Sequence, residues 1–455
     1  MLDAPMEPYD LVVRGRRVVL PDAERPAAVA IRDGKVAAIE PFDARIEARA
    51  TLDAEGATVL PGLVDTHVHV NDPGRAEWEG WESATRAAAA GGVTTIVDMP
   101  LNAVPPTTSV AALETKLEAA RGRAWVDYGL WGGVVPGNEA ALAPLVEAGA
   151  LGFKAFLAPS GVDEFPHVDE EELARAAPIL RETGVPLLVH AEDPAALDSA
   201  ALARSPAAYT AWLASRPPRA EAEAIERLGR LAAESGAWVH VVHVAAAQAV
   251  EALARARASG ARLTGETCPH YLFFAAETIP PESILHKCAP PIREEAHRER
   301  LWRALAEGVL DLVASDHSPC PAAMKAGDFA TAWGGIASLQ LSLSALWRVA
   351  RERGHRAADI ARWTSAAPAR LAGLDDRKGA IAPGLDADLV VWDPDLEWTP
   401  RADEILHRHA ATPYLGAKLR GRVKRTILRG RLVYDDGTFL GEPRGWWLRG
   451  RGDGA

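Results

Sequence analysis

Apolar and polar positions alternate with a period of two at both ends of the chain. DLVVRGRRVVL (10–20), AAVAIRDGKVAAIE (27–40) and ATVLPG (57–62) open it, and GLDADLVVWDP (384–394) and VKRTILRGRLVYDDGTFLG (423–441) close it. Such alternation predicts half-buried strands, and the Asp33-Gly34 pair between two alternating runs predicts a tight hairpin. The middle has a different rhythm. Short apolar runs at 62–70, 93–100, 125–135, 151–158, 185–192, 238–245, 261–272 and 310–318 are separated by Ala/Glu/Arg-rich stretches with helical texture, such as Glu79–Ala90, Glu170–Thr183 and Ala222–Ala233. Eight strand-then-helix units in series predict an α/β chain: a (β/α)8 TIM-like barrel at 59–380, with a small β-sandwich domain built from both termini, 1–58 and 381–455. An open, doubly wound sheet alternates in the same way and stays open as the second topology.

Composition narrows the class. The 455 residues are 48% hydrophobic and 25% charged, ordinary for a folded enzyme and unlike a disordered chain. Net charge is −12 with no basic arm or stripe, which argues against nucleic acid as a partner. No apolar run approaches the roughly 20 residues of a membrane span, and the first residues lack the basic-then-apolar order of a secretory signal. Cys268, Cys288 and Cys320 are odd in number and form no Cys-x-x-Cys, excluding a disulfide framework and a cysteine-rich zinc site. A reducing cytoplasm is the expected home.

In a barrel of this kind, chemistry gathers at the carboxyl ends of the strands. The first strand ends in His67-Val68-His69, and residues two apart on a strand share a face, so both imidazoles project together. Two core histidines would leave the same trace. The fifth strand ends in His190, the sixth in His243 and the eighth in Asp316, so four imidazoles and a carboxylate reach one rim, a donor set for a borderline divalent cation. His240 competes with His243. The two lie an odd number of residues apart, so one of them is expected to face inward, and His243 is nearer the strand end. Lys154 stands where a buried ammonium needs a partner. A structural ion pair is one reading. The other is a carbamate formed with CO2, an anionic group able to bridge two cations, which leaves the site two charges less positive than an ammonium would.

These residues sit in segments that resemble the amidohydrolase superfamily, in its cyclic-amidase branch and there most like the bacterial allantoinases. The segments are GLVDTHVHVNDPGRAEWEGWESATRAAAAGGVTTIVDMPLNAVPPTT (62–108), LGFKAFLAPSGVDEFPHVDEEEL (151–173), LLVHAED (187–193), VVHVAAAQAVE (241–251), GETCPHYL (265–272), KCAPPIR (287–293) and LVASDHSPC (312–320). The resemblance implies that His67, His69, Lys154 and Asp316 ligate one metal and that carbamylated Lys154, His190 and His243 ligate the other. It implies zinc first, with cobalt, manganese or iron possible, and Asp316 as base and then acid in opening a small cyclic ureide. Dihydroorotases of this branch carry Arg two positions beyond the second histidine, where this chain has Asn71. Hydantoinases carry Tyr five positions beyond the lysine, where it has Pro159. Both departures point to allantoin as substrate, with a hydantoinase or dihydropyrimidinase-like amidase as the alternative and dihydroorotase after it. By analogy Asn102 and backbone near Ala289 and Gly334 would contact the ring, although Asn102 also reads as a turn residue. His270 and His317 would be structural, and Arg75, Glu77 and Trp78 would belong to a loop over the site, by default a solvated one. Inactive relatives lose ligands, and here the set is intact. Relatives of this kind assemble as homo-tetramers or dimers.

Overall fold

The computed structural model describes residues 7–450. Five strands open the chain: β1 (Tyr9–Val19), β2 (Glu24–Arg32), β3 (Lys35–Glu40), β4 (Ala48–Asp53) and β5 (Thr58–Pro61). The hairpin expected at Asp33-Gly34 joins β2 to β3, with φ of 52° and 76° at its two central residues, as a two-residue turn between twisted strands requires.

Nine further strands follow the expected runs: β6 (Leu63–Val68), β7 (Val93–Asp98), β8 (Asp127–Leu130), β9 (Gly132–Gly133), β10 (Phe153–Phe156), β11 (Leu187–His190), β12 (Val239–Val241), β13 (Leu263–Thr267) and β14 (Leu312–Val313). All pair in parallel in chain order except at one step, where the run expected at 125–135 divides into β8 and β9. Trp131 causes the break. Its indole is fully buried and donates to the carbonyl of Thr66 across the barrel at 2.8 Å. Gly132 and Gly133 then pass so close to Phe153 and Phe165 that a Cβ would sit 2.7 and 2.4 Å from their rings. The ring closes where Val68 bridges His317 in parallel, His69 N–H donating to His317 O at 2.9 Å and His317 N–H to His67 O at 3.2 Å. Closure removes the open-sheet alternative.

Helices wrap the barrel. Glu170–Thr183 keeps its expected bounds because Asp169 and Glu172 form a reciprocal capping box and Gly184, at φ 72°, ends the helix. The helix expected at 222–233 is longer, Pro218–Ser235, since Pro218 fits a first turn that needs no N–H. The one expected from Glu79 begins at Trp81.

The chain ends in β15 (Leu389–Trp398), β16 (Leu419–Leu428), β17 (Arg431–Asp435) and β18 (Thr438–Phe439), which join the opening strands in one path, β18-β17-β16-β15-β5-β1-β2-β3. Strand β1 forks this layer: its first half pairs with β4 and its last residues with β5. Val13, Val29, Ile31, Val59, Leu389, Val391 and Ile427 pack together as one core cluster of this domain. Lys378 ties this domain to the barrel, its ammonium 2.6 Å from Asp127 of β8, 2.8 Å from Asp388 and 3.0 Å from Asp386. Beyond β18 the chain returns to the barrel, where Tyr128 of β8 exchanges backbone hydrogen bonds with Trp446 and Leu448. Among the described residues, no helix is long and apolar enough to cross a membrane.

Candidate active site

A cavity of about 340 Å³ opens at the carboxyl ends of the barrel strands, and His67, His69, Lys154, His190, His243 and Asp316 all line it. His67, next to last in β6, and His69, just past it, turn their Nε2 atoms to within 3.2 and 3.7 Å of Asp316 Oδ1. On the other side, His190 Nδ1 faces His243 Nε2 at 3.1 Å. Lys154, on β10, is fully buried, and its Nζ has no hydrogen-bond partner among the described residues. His243 and Asp316 both lie past their strands with φ of 41° and 45°. Non-glycine residues rarely hold that conformation, and it re-aims both side chains toward the cavity.

This turn also explains where the strand-parity expectation for His240 fails. His240 does face the barrel interior, with Nδ1 2.8 Å from Thr264 Oγ1 and Nε2 3.2 Å from Glu266 Oε2. His243 reaches the interior as well, because the backbone has left the strand before it. His240 supports the site through Glu266, whose other oxygen lies 2.6 Å from His67 Nδ1.

Outer partners decide which nitrogens point inward with free lone pairs. A carboxylate only accepts, so Glu266 places the proton of His67 on Nδ1, and the carbonyl of Leu101, 3.1 Å from His69 Nδ1, does the same there. Glu192 lies 2.8 Å from His190 Nε2 and is itself gripped by Arg216. His67, His69 and His190 therefore each turn a bare nitrogen inward, while His243 Nδ1 has no hydrogen-bond partner among the described residues. Burial lowers the pKa of His67, His190 and His243 and keeps them neutral. Lone pairs of His67 and His69 facing the Asp316 carboxylate repel one another unless a cation lies between them. The donor set thus fits divalent metal, three of its atoms within 4.8 Å of each other.

Burial pushes Glu266 upward, yet His67 and His240 outweigh it and hold the carboxyl at about 2. Glu192 is likewise held at about 2, by Arg216 and His190 against the effect of burial. Neither carboxylate was singled out in the sequence. Glu192 carried a usable signal, since it follows His190 by two positions; Glu266 meets His67 across 199 positions and carried none.

Asn102, Ala289 and Gly334 line the same cavity, together with Phe156, Pro159, Ser160, Trp212 and Lys287. Asn71 does not; it is buried behind Asn102 and bonded to its side chain. Arg75 and Trp78 are not a free loop. Arg75 pairs with Glu164 and donates to the carbonyl of Asn102 at 2.7 Å, while Trp78 packs edge-on against Trp333. Glu77 remains exposed, with its carbonyl bonded to His409. His317 Nδ1 accepts from the backbone of Ser338 and Leu339 below the site, and His270 is buried with neither ring nitrogen bonded.

The model of the amidohydrolase family matches residues 58–433. An allantoinase of Streptomyces avermitilis is 53% identical over 441 residues, covering 97% of this chain and 98% of that one. An allantoinase of Saccharomyces cerevisiae is 43% identical, covering 92% and 94%. Among solved structures, the L-hydantoinase of Arthrobacter aurescens superposes with a TM-score of 0.92 at 32% identity, covering 97% of this chain and all of that one. Closed barrel, two-ended β domain and convergent histidines agree with these likenesses, and the chain belongs to the amidohydrolase family.

Proposed function

We propose that this chain is a metal-dependent cyclic amidase that opens the hydantoin ring of allantoin to give allantoate. The observation that carries this reading is the set of inward lone pairs around Asp316 and Lys154, in a chain 53% identical to an allantoinase over nearly its whole length. His67, His69 and Asp316 would hold one divalent cation, His190 and His243 the other, and a carbamate on Lys154 would reach both. Zinc suits this nitrogen-and-carboxylate set first, and cobalt, manganese or iron suit it too. When bound, such cations lower the pKa of water and polarise the scissile carbonyl.

A carbamate forms when a neutral amine adds to CO2 and loses a proton. Burial lowers the pKa of Lys154 to about 8, and its unbonded Nζ is free to react. Asp316 Oδ1 lies 3.2 and 3.7 Å from the Nε2 atoms of His67 and His69, and a cation held between them would keep its carboxyl ionised at neutral pH. Its Oδ takes a proton from the attacking water and gives it to the ring nitrogen as the carbon–nitrogen bond breaks. The carbonyl carbon keeps the water oxygen and ends as a carboxylate. Asn102 and the backbone at Ala289 and Gly334 would orient the ring.

Three buried free cysteines suit a reducing cytoplasm, and we propose a homo-oligomer, dimer or tetramer, which mass in solution tests. The likeness to an L-hydantoinase supports a second reading, a hydantoinase-type amidase for other C5 substituents. Turnover of racemic allantoin with bicarbonate and zinc, cobalt or manganese, beside hydantoin, dihydrouracil and dihydroorotate, separates the two. Allantoate as the dominant product supports the first. Opening of another ring in preference supports the second, and no turnover of any ring overturns both.

A further inference from the structure

Beside Asp316, and outside the lining of the cavity, Cys268 and His270 offer ligand atoms that the reaction above does not use. Cys268 follows β13 directly, and two residues on, His270 turns back beside it. The Cys268 thiol, a ring nitrogen of His270 and a carboxylate oxygen of Asp316 all lie within 4.8 Å of one another. All three side chains are buried. His270 is the telling member: neither of its ring nitrogens has a hydrogen-bond partner among the described residues. An imidazole placed only to fill space would be bettered there by an apolar ring, because an unbonded polar atom in a dry core opposes folding.

The chemistry of the three donors differs from that of the main site. A soft sulfur, a borderline nitrogen and one carboxylate oxygen select zinc or cadmium over magnesium, calcium or manganese. In a tetrahedral zinc site the ligand atoms stand about 3.3–3.8 Å apart, so a closing movement of roughly 1 Å completes the group, with water from the cavity as fourth ligand. We propose that Cys268 and His270 form, with Asp316 shared from the main site, a second seat for a soft divalent cation, whose occupation stops turnover by taking Asp316 out of proton transfer. As the metal–sulfur bond forms, the thiol proton leaves to solvent. Zinc would thus support the enzyme at low concentration and inhibit it in excess. The inhibitory half rests on Asp316 as proton carrier; the binding half does not.

The test is a titration of the metal-loaded enzyme with cadmium chloride. It follows the ultraviolet thiolate-to-cadmium charge-transfer absorption, the number of ions retained and the turnover of any ring the enzyme opens. The expected result is one further ion bound per chain, with the absorption rising as turnover falls. In Cys268→Ala the absorption is absent, and the cadmium concentration that halves that variant's own turnover rises at least tenfold. His270→Gln, which keeps the size of the side chain, shifts the same midpoint and serves if the first variant fails to fold. Absorption that persists in Cys268→Ala, or inhibition without absorption in the unsubstituted enzyme, overturns the seat. Absorption with full turnover overturns the inhibitory half alone. Because absorption and stoichiometry need no substrate, they decide the seat even if allantoin proves not to be opened.

Discussion

Asn102 donates through its side-chain amide to Oδ1 of Asn71 at 3.0 Å, and Asn71 donates in turn to the carbonyl of Pro319 at 3.3 Å. A carbonyl only accepts, so Pro319 fixes the direction of both bonds. Asn102 is left presenting its oxygen, with no protein donor among the described residues, on a side chain that lines the cavity. A ureide is rich in N–H groups and matches that acceptor. Asn71→Leu removes the lock without touching the cavity wall. It is expected to raise KM for allantoin about tenfold, the effect of roughly one buried hydrogen bond, with a smaller change for unsubstituted hydantoin. Steady-state kinetics on both rings checks this, and equal losses on the two would assign Asn71 to stability alone.

Glu266 joins His240 to His67 and fixes the tautomer of the latter. Glu266→Gln puts an amide where the carboxylate stood, and its NH2 group can face the histidine. Metal retention is expected to fall ten- to a hundredfold, as for other outer-partner substitutions, measured by competition with a chelator.

Lys154 sets a pH dependence of assembly. Burial lowers its pKa to about 8, and only the neutral amine adds CO2, so the reactive fraction is small below that value and grows as pH rises through it. At fixed dissolved CO2, reactivation of metal-free enzyme by CO2 and zinc should quicken between pH 7 and about 8.5 and then level off. Lys154→Ala should be inactive, with partial recovery in short carboxylic acids. Full activity in that variant would exclude a carbamate.

Lys378 is buried against three carboxylates, Asp127, Asp386 and Asp388. Burial pulls its pKa down, but the three carboxylates outweigh this and raise it above the ordinary lysine value. A raised folded pKa means the stabilising charge is complete below the unfolded value, near 10.4, and fades only as pH climbs through the folded one. At neutral pH, Lys378→Met removes the buried cation the three share; Asp127 keeps Arg429 and Asp386 keeps Lys35, but Asp388 loses its ammonium. A loss of about 3–5 kcal/mol is expected in denaturant unfolding, while kcat of the remaining folded enzyme stays near its original value.

The sequence made the repeating part of the fold legible, because each strand is a local apolar run and parity alone puts His67 and His69 on one face. It made the strand ends that carry histidine and aspartate legible for the same reason. What stayed hidden depends on partners far along the chain. The break at Trp131 follows from a bond to Thr66, the inward turn of His243 from a single positive φ, and the placing of Glu266 from a meeting across 199 positions. The part played by Asn71 is a matter of hydrogen-bond direction, which residue letters do not carry.

The two-ended β domain sets the order in which this protein can be completed. Lys35 meets Asp386 351 positions later, and β5, already beside β1, finds its second neighbour only when β15 has been made. At about 5–20 residues per second of synthesis, β1 to β5 wait tens of seconds with one edge unpaired. That edge is a template for wrong partners, and it is kept short: β5 has four residues and ends in Pro61. A nascent chain stopped before Leu389 carries a half-built sheet beside a barrel that already has all its strands, and its first-made segment is the last to be finished.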